Sequence, residues 1–279
     1  MQKFVEQKFI GERAMFGAKD AEFERCGFAA GESPLKHGQN LRLKNCTFEW
    51  KYPLWYTKNV AVEGGFLMQM ARAGIWYAQD VSFKDTLIQA PKSFRRCQNV
   101  RLENVNLTQA EETLWSCVDV EIKNVCARGD YFAMNCENLR VYGLNLDGNY
   151  GFDGCKNLLV EDSKLLSKDA FWNCENVTVR NSFISGEYLA WNSKNVTFEN
   201  CVIESLQGLC YVQNLVLRSC QTLDTTLAFE YSSVDAEILG GIASVKNPLS
   251  GVIRAKEIGE IIMQKECVDP AATKIILEK

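Results

Sequence analysis

AFWNCENVTV, residues 170–179, sets a thiol, a carboxylate and two amides side by side and invites a reading as a chemical site. The neighbouring sequence argues otherwise. Cys155-Lys-Asn157-Leu-Leu-Val precedes it by one interval and Cys136-Glu-Asn138-Leu-Arg-Val by two. A motif that returns at a fixed interval is an architectural repeat before it is a site.

Followed through the chain, the polar residue ahead of each strand-like triplet falls at Asp20, Asn40, Asn59, Asp80, Asn99, Asp119, Asn138, Asn157, Asn176, Asn195, Asn214 and Ser233. The steps are 19 to 21 residues. One residue later stands an apolar column from Ala21 and Leu41 to Leu215 and Val234, and three residues later another from Phe23 to Leu217. Arg42, Arg101, Glu121, Arg140, Thr178 and Thr197 lie between them, which is the alternation of a half-buried strand. Five residues after the Asn slot comes a second turn column, including Asn45, Gly64, Asn104, Gly143, Asn181 and Asn200.

Such a unit is too short for two helices. It fits one coil of an all-β single-stranded parallel β-helix, a solenoid of about 12 coils with 19–21-residue coils. Stacked, buried corner asparagines would pass amide hydrogen bonds from coil to coil. The nearest rival is the pentapeptide-repeat coil, which needs a small inward residue before each corner. Gln39, Lys58, Gln98, Glu137, Lys156 and Lys194 stand there, so that coil is disfavoured. The expected organisation is one domain over 1–279: an N-terminal cap or strand over 1–17, regular coils over 18–235, and looser coils with a C-terminal cap over 236–279. Further strands are expected at GVIRA (251–255), EIGEIIMQ (257–264) and KIILE (274–278).

Composition narrows the chemistry. A net charge of −4 argues against nucleic acid, and no apolar run reaches membrane-spanning length. The opening MQKFVEQKFIGERAMFG lacks the apolar core of a secretory signal, so a cytoplasmic location with free thiols is expected. One histidine, His37, leaves no room for a His-rich metal site, and no metal or cofactor is expected. Most of the twelve Cys fall in two columns, one of them Cys97, Cys117, Cys136, Cys155 and Cys174 with Thr57, Ala78 and Ser193. Interchange with small residues marks them as filler for narrow corners. The Asn-x-Thr sequences at Asn45, Asn106, Asn176 and Asn195 are read as products of the repeat.

Five of the six Trp share one column: Trp55, Trp76, Trp115, Trp172 and Trp191, with Lys36, Arg95, Met134 and Asp153 at the other rungs. The column just before it is wholly apolar, from Leu35 to Ala228, and is assigned to the core. Lys, Arg and Asp among the Trp turn that column outward, as an aromatic strip suited to a saccharide or a protein partner. Trp55, Trp76, Arg95, Trp115, Trp172 and Trp191 are therefore the candidate ligand-binding residues. Asp130, Asp147, Asp153, Asp169 and Glu187 lie on loops near the strip. As paired carboxylates they would suit glycoside hydrolase or lyase chemistry, the alternative to a non-catalytic binding protein.

The coil WNCENVTV, with SFRRCQNV (93–100) and LWYTKNV (54–60), resembles an uncharacterised bacterial family of β-helix proteins, a domain of unknown function related in architecture to pectin-lyase-like folds. The resemblance covers essentially the whole chain. It implies a right-handed single-stranded β-helix and transfers no catalytic residue.

Overall fold

A side chain that must sit at a left-handed corner and still hydrogen-bond is the local rule from which the fold builds. In the computed structural model, which describes residues 1–278, every Asn or Asp of the slot column from Asp20 to Asn214 has φ between 50° and 61°. Asn and Asp tolerate this region far better than other side chains. The second turn column repeats it, with Asn45, Asn104, Asn181 and Asn200 at φ 49–54° and Gly64 and Gly143 at 63° and 65°. Between the two corners runs a strand, such as Gln39–Lys44 or Glu175–Arg180, and past the second corner a shorter one, such as Thr47–Phe48 or Phe183–Ser185.

The chain divides into two compact units, Met1–Asn145 and Leu146–Lys279. In each, strands of successive coils pair in parallel, with like column on like. Leu41 and Leu43 pair with Val60 and Val62 in the first, Val177 and Val179 with Val196 and Phe198 in the second. This is a parallel β-solenoid, without an α-helix among the described residues. The corner strand occurs fifteen times there, eight beginning in the first unit and seven in the second. The sequence period shows only twelve because the ends lose it. Gln2–Val5, which has no slot residue, pairs with Ala21–Glu24. Val234 pairs with Gly251 and Gly251 with Thr273, steps shorter and longer than the repeat. Strands at Ser250–Ala255, Glu257–Ile262 and Thr273–Leu277 match the three expected near the C-terminus.

The interior is made of stacked identical columns. The two apolar strand columns, the Leu35-to-Ala228 column, and Phe48, Leu67, Ile88 and Leu107 of the short strands are all buried. Phe28 and Phe48 stack 4.8 Å apart, Phe152 and Phe171 5.5 Å apart. Each such side chain contributes about 1.5–3 kcal/mol on burial, against about 0.5–1.5 kcal/mol for one hydrogen bond. Apolar stacking therefore supplies most of the stability, while the corners dictate the path.

The asparagine ladders run along exposed corners rather than buried ones. Each Nδ2 donates to the Oδ1 of the coil before: Asn40 to Asp20 and Asn59 to Asn40, both at 2.8 Å, and Asn195 to Asn176 and Asn214 to Asn195, both at 2.9 Å. A carboxylate can only accept, so Asp80 and Asp119 each begin a new run, accepting from Asn99 and Asn138. Burial is unnecessary here, because the left-handed backbone already selects Asn.

The cysteines of the inner corner are buried, and they do more than fill. Cys174 Sγ donates to the carbonyl of Phe152 at 2.9 Å, and Ser193, next in the column, donates to Phe171 at 2.7 Å while accepting from the Cys174 N–H at 2.9 Å. One small donor-acceptor group thus closes the tight turn of the preceding coil, which explains why Cys, Ser and Thr interchange. Ten of the twelve thiols are buried; Cys126 and Cys267 are exposed. Burial pushes the Cys46 thiol up to about 11 and that of Cys210 to about 12.

Two outcomes follow for stability and reactivity. Asn195→Val, which strains the corner and breaks both ladder bonds, should cost about 2–3 kcal/mol in urea unfolding, and Asn195→Gly, which keeps the corner, about 1 kcal/mol. Iodoacetamide at pH 8 should label Cys126 and Cys267 in the native protein, and all twelve cysteines only after denaturation, as read by mass spectrometry.

Candidate functional site

Left-handed residues alternate with ordinary ones just before the inner corner. Asp169, Phe171 and Asn173 have φ of 57°, 62° and 54°; Glu112, Leu114 and Ser116 have 51°, 60° and 53°. This zigzag sends Leu114 and Phe171 into the core and Trp115 and Trp172 out. Holding a bulky residue left-handed costs about 1–2 kcal/mol, which full burial of Leu114 or Phe171 offsets.

In Met1–Asn145 the outward column reads Lys36, Trp55, Trp76, Arg95, Trp115, and all five are half-buried. The Trp55 and Trp76 rings stack at 5.1 Å and 8° from parallel. The Arg95 guanidinium lies between two indoles, 4.6 Å from the Trp76 centroid and 4.5 Å from that of Trp115. Lys36 Nζ lies 5.5 Å from the Trp55 ring. Glu112 accepts from Arg95 Nη2 and Lys92 Nζ, each at 3.0 Å. The indole N–H groups of Trp76 and Trp115 donate to the carbonyls of Lys92 and Tyr131 at 2.8 and 2.7 Å. Beside this column runs a second: His37 on Tyr56 at 5.1 Å, Tyr56 on Tyr77 at 4.9 Å, and Arg96 at 6.0 Å from Tyr77. Within each column the ring faces are therefore largely spent on neighbouring rings and cations.

In Leu146–Lys279 the column starts at Asp153 and continues with Trp172 and Trp191, which meet at 6.3 Å and 34°. Cys210 then turns inward, and Tyr211 takes over the stacking at 4.5 Å from Trp191. Trp172 donates to the Tyr188 carbonyl at 2.7 Å and meets Tyr150 edge to face, 6.2 Å away at 90°.

The five candidate acids have different fates. Asp130 is half-buried in the first unit, and Asp147 is exposed at the end of the strand Glu137–Asp147. Glu187 is paired with Lys168 at 2.9 Å, and Asp153 accepts from the Asn173 amide at 2.9 Å. Asp169 is 2% exposed, with Oδ1 lacking any hydrogen-bond partner. Burial raises its pKa above the usual carboxylate range, with Glu187 and Asp153 adding to the rise, while Lys168 and a hydrogen bond from Tyr150 oppose it. Asp153, Asp169 and Glu187 thus share one neighbourhood in the second unit. Glu112, the acid that holds Arg95, was not among the sequence candidates, yet its signal was present: it stands seven residues before its slot residue Asp119, as Asp169 does before Asn176. Among the described residues no cluster of three or more His, Cys, Asp or Glu could hold a metal ion, and no helix is long and apolar enough to cross a membrane.

Residues 2–276 match the model of a family described as "Protein of unknown function (DUF3737)". No curated protein matches the chain. Solved structures similar to it include the surface adhesin PfbA of Streptococcus pneumoniae (11% identity, covering 88% of this chain and 68% of that one, TM-score 0.29). A tailspike protein of E. coli bacteriophage HK620, in complex with a pentasaccharide, is also similar (7% identity, 93% and 70%, TM-score 0.44). So is the A-module of the Azotobacter vinelandii mannuronan C-5 epimerase AlgE4 (11% identity, 99% and 87%, TM-score 0.30).

Removing the central cation tests the stack. Arg95→Ala should destabilise the protein by about 2 kcal/mol and Arg95→Met, which keeps the packing, by about 1 kcal/mol, measured by urea unfolding with Trp fluorescence.

Proposed function

The chain belongs to the DUF3737 family, and from its own geometry we propose that it is a non-catalytic scaffold that binds a protein through the aromatic and cationic face of Met1–Asn145. The supporting observation is the pair of stacked columns, Trp55-Trp76-Arg95-Trp115 beside His37-Tyr56-Tyr77-Arg96. Trp, Tyr and Arg are the residues that dominate protein-binding hot spots. They are held rigid here, so little side-chain entropy is lost on binding. A sugar ring stacks on an open aromatic face, and the faces of Trp55, Trp76, Tyr56 and Tyr77 lie against neighbouring rings or cations; edges, hydroxyls and guanidinium groups fit a protein surface better. Among the described residues Lys36 and Arg96 carry no ion pair, so the complementary surface is acidic. Hydrolase or lyase chemistry would need two acids free to exchange protons across a substrate. Glu187 is instead paired with a lysine and Asp153 takes part in an amide ladder.

The test uses Tyr56→Ala/Arg96→Ala, which alters only outward side chains. A partner captured from the source organism's extract should bind the purified wild type and lose roughly 30-fold or more in affinity with the double variant, by calorimetry. A glycan array run alongside tests the saccharide alternative: hits that vanish in Trp115→Ala would replace the protein partner. A partner indifferent to the double variant would overturn the proposal.

A further inference from the structure

The two units treat one rung of the aromatic column in opposite ways. In the first, Lys92 and Arg95 stand on one coil, and Glu112 and Trp115 stand above them on the next. Arg95 fills the space under the Trp115 ring, and both cations reach the Glu112 carboxylate. In the second unit the corresponding residues are Tyr150 and Asp153, then Asp169 and Trp172. The acid and the indole are kept, but both cations are gone, and a second acid stands where Arg95 would be.

The chain makes good the loss only in part: the Tyr150 hydroxyl donates to Asp169, and Lys168 next to it acts on its charge from a distance. Among the described residues no cation forms an ion pair with Asp153 or Asp169, since Lys168 reaches Glu187 and lies 5.6 Å from the Tyr188 ring. Among the described residues the Asp153 side chain accepts from a neutral amide, that of Asn173. Asp169 keeps an oxygen without a partner although it is nine-tenths buried and more. Such a group ordinarily finds a donor. Tyr150 and Trp172 meet at a right angle beside these acids, two perpendicular aromatic walls. Trp191, on the next coil, lies on one side of Trp172, and from the Asp153 coil its ring contact is the edge-to-face one with Tyr150. Asp153 is shorter than the arginine of the other unit, and both Asp153 and Trp172 are half-exposed.

We infer that the rung bounded by Trp172, Tyr150, Asp153 and Asp169 is a binding site for an organic cation, a guanidinium or alkylammonium group that a ligand supplies where the first unit supplies Arg95. The chemistry is that of an aromatic cage: the ring face attracts the charge and the carboxylates fix its N–H groups. The cation arrives either as a side chain of a basic peptide or as a small free amine. The site is independent of the face proposed above, which lies on the other unit and calls for an acidic partner.

The probes are N-acetyl-arginine amide, tetramethylammonium, a short Arg/Lys peptide and, as neutral control, N-acetyl-glutamine amide. They are titrated into the whole protein and followed by the Trp172 indole N–H signal in NMR. Saturable shifts are expected with the cations alone, weakened roughly tenfold or more in Asp169→Asn and in Asp153→Asn. The second substitution is at a half-exposed position and tests the site even if the first disturbs folding. Tighter binding of the peptide would identify a protein ligand, and equal binding of the free cations a small amine. Asp153→Arg should abolish binding and raise Tm, because it restores the first unit's arrangement. No saturable shift, equal binding of the neutral amide, or wild-type affinity in both Asn variants would each overturn the assignment.

Discussion

Backbone hydrogen bonds between successive parallel strands set a spacing of about 4.8 Å, and in each unit every other feature inherits it. A side chain on one coil has its counterpart on the next at van der Waals distance, so each column must stack on itself. Amides answer by linking into ladders, phenyl rings by lying parallel, indoles by sandwiching a guanidinium. Residues that stack poorly must be short, paired, or turned away, as Asp153, Glu187 and Cys210 are.

This constraint explains what the sequence disclosed. The corner asparagines were legible because two demands, a left-handed backbone and an amide that both donates and accepts, leave almost one residue type. The apolar strand columns were legible through their alternation, and the thiols through their exchange with Ser and Thr. The terminal coils escaped because steps such as Val234 to Gly251 and Gly251 to Thr273 break the period while preserving the pairing. Exposure of the ladder also escaped, since a sequence column gives no radius. The outward turn of the Trp column could be read from its Lys, Arg and Asp, but the covering of the ring faces could not, because it depends on coil spacing and side-chain tilt. Among the acids, only the three-dimensional arrangement separates Asp169, buried and short of a partner, from Glu187, which is neutralised by Lys168.

The covered faces bear on recognition. An indole locked between neighbours cannot swing to clasp a ligand, so such a column is a fixed relief of edges and charges whose specificity comes from the sequence of rungs. Replacing one rung changes the relief locally and leaves the coil beneath it intact. Arg95 and Asp153 are two states of that kind: one closes its rung with the chain's own cation, the other leaves it acidic.

The interrupted ladder in Met1–Asn145 carries a different implication. Because Asp80 and Asp119 can accept but not donate, no side-chain bond ties Asp80 to Asn59 or Asp119 to Asn99, and each run of amides starts afresh there. These places are seams. At the Asp119 seam the second-turn ladder still crosses, from Asn124 to Asn104, but at Asp80, where that turn pairs Gly64 with Asp85, one entire coil could be gained or lost without breaking a ladder, provided the strands re-pair in register. The Asp80 carboxylate thus makes the number of coils an editable length, with a join point written into the sequence.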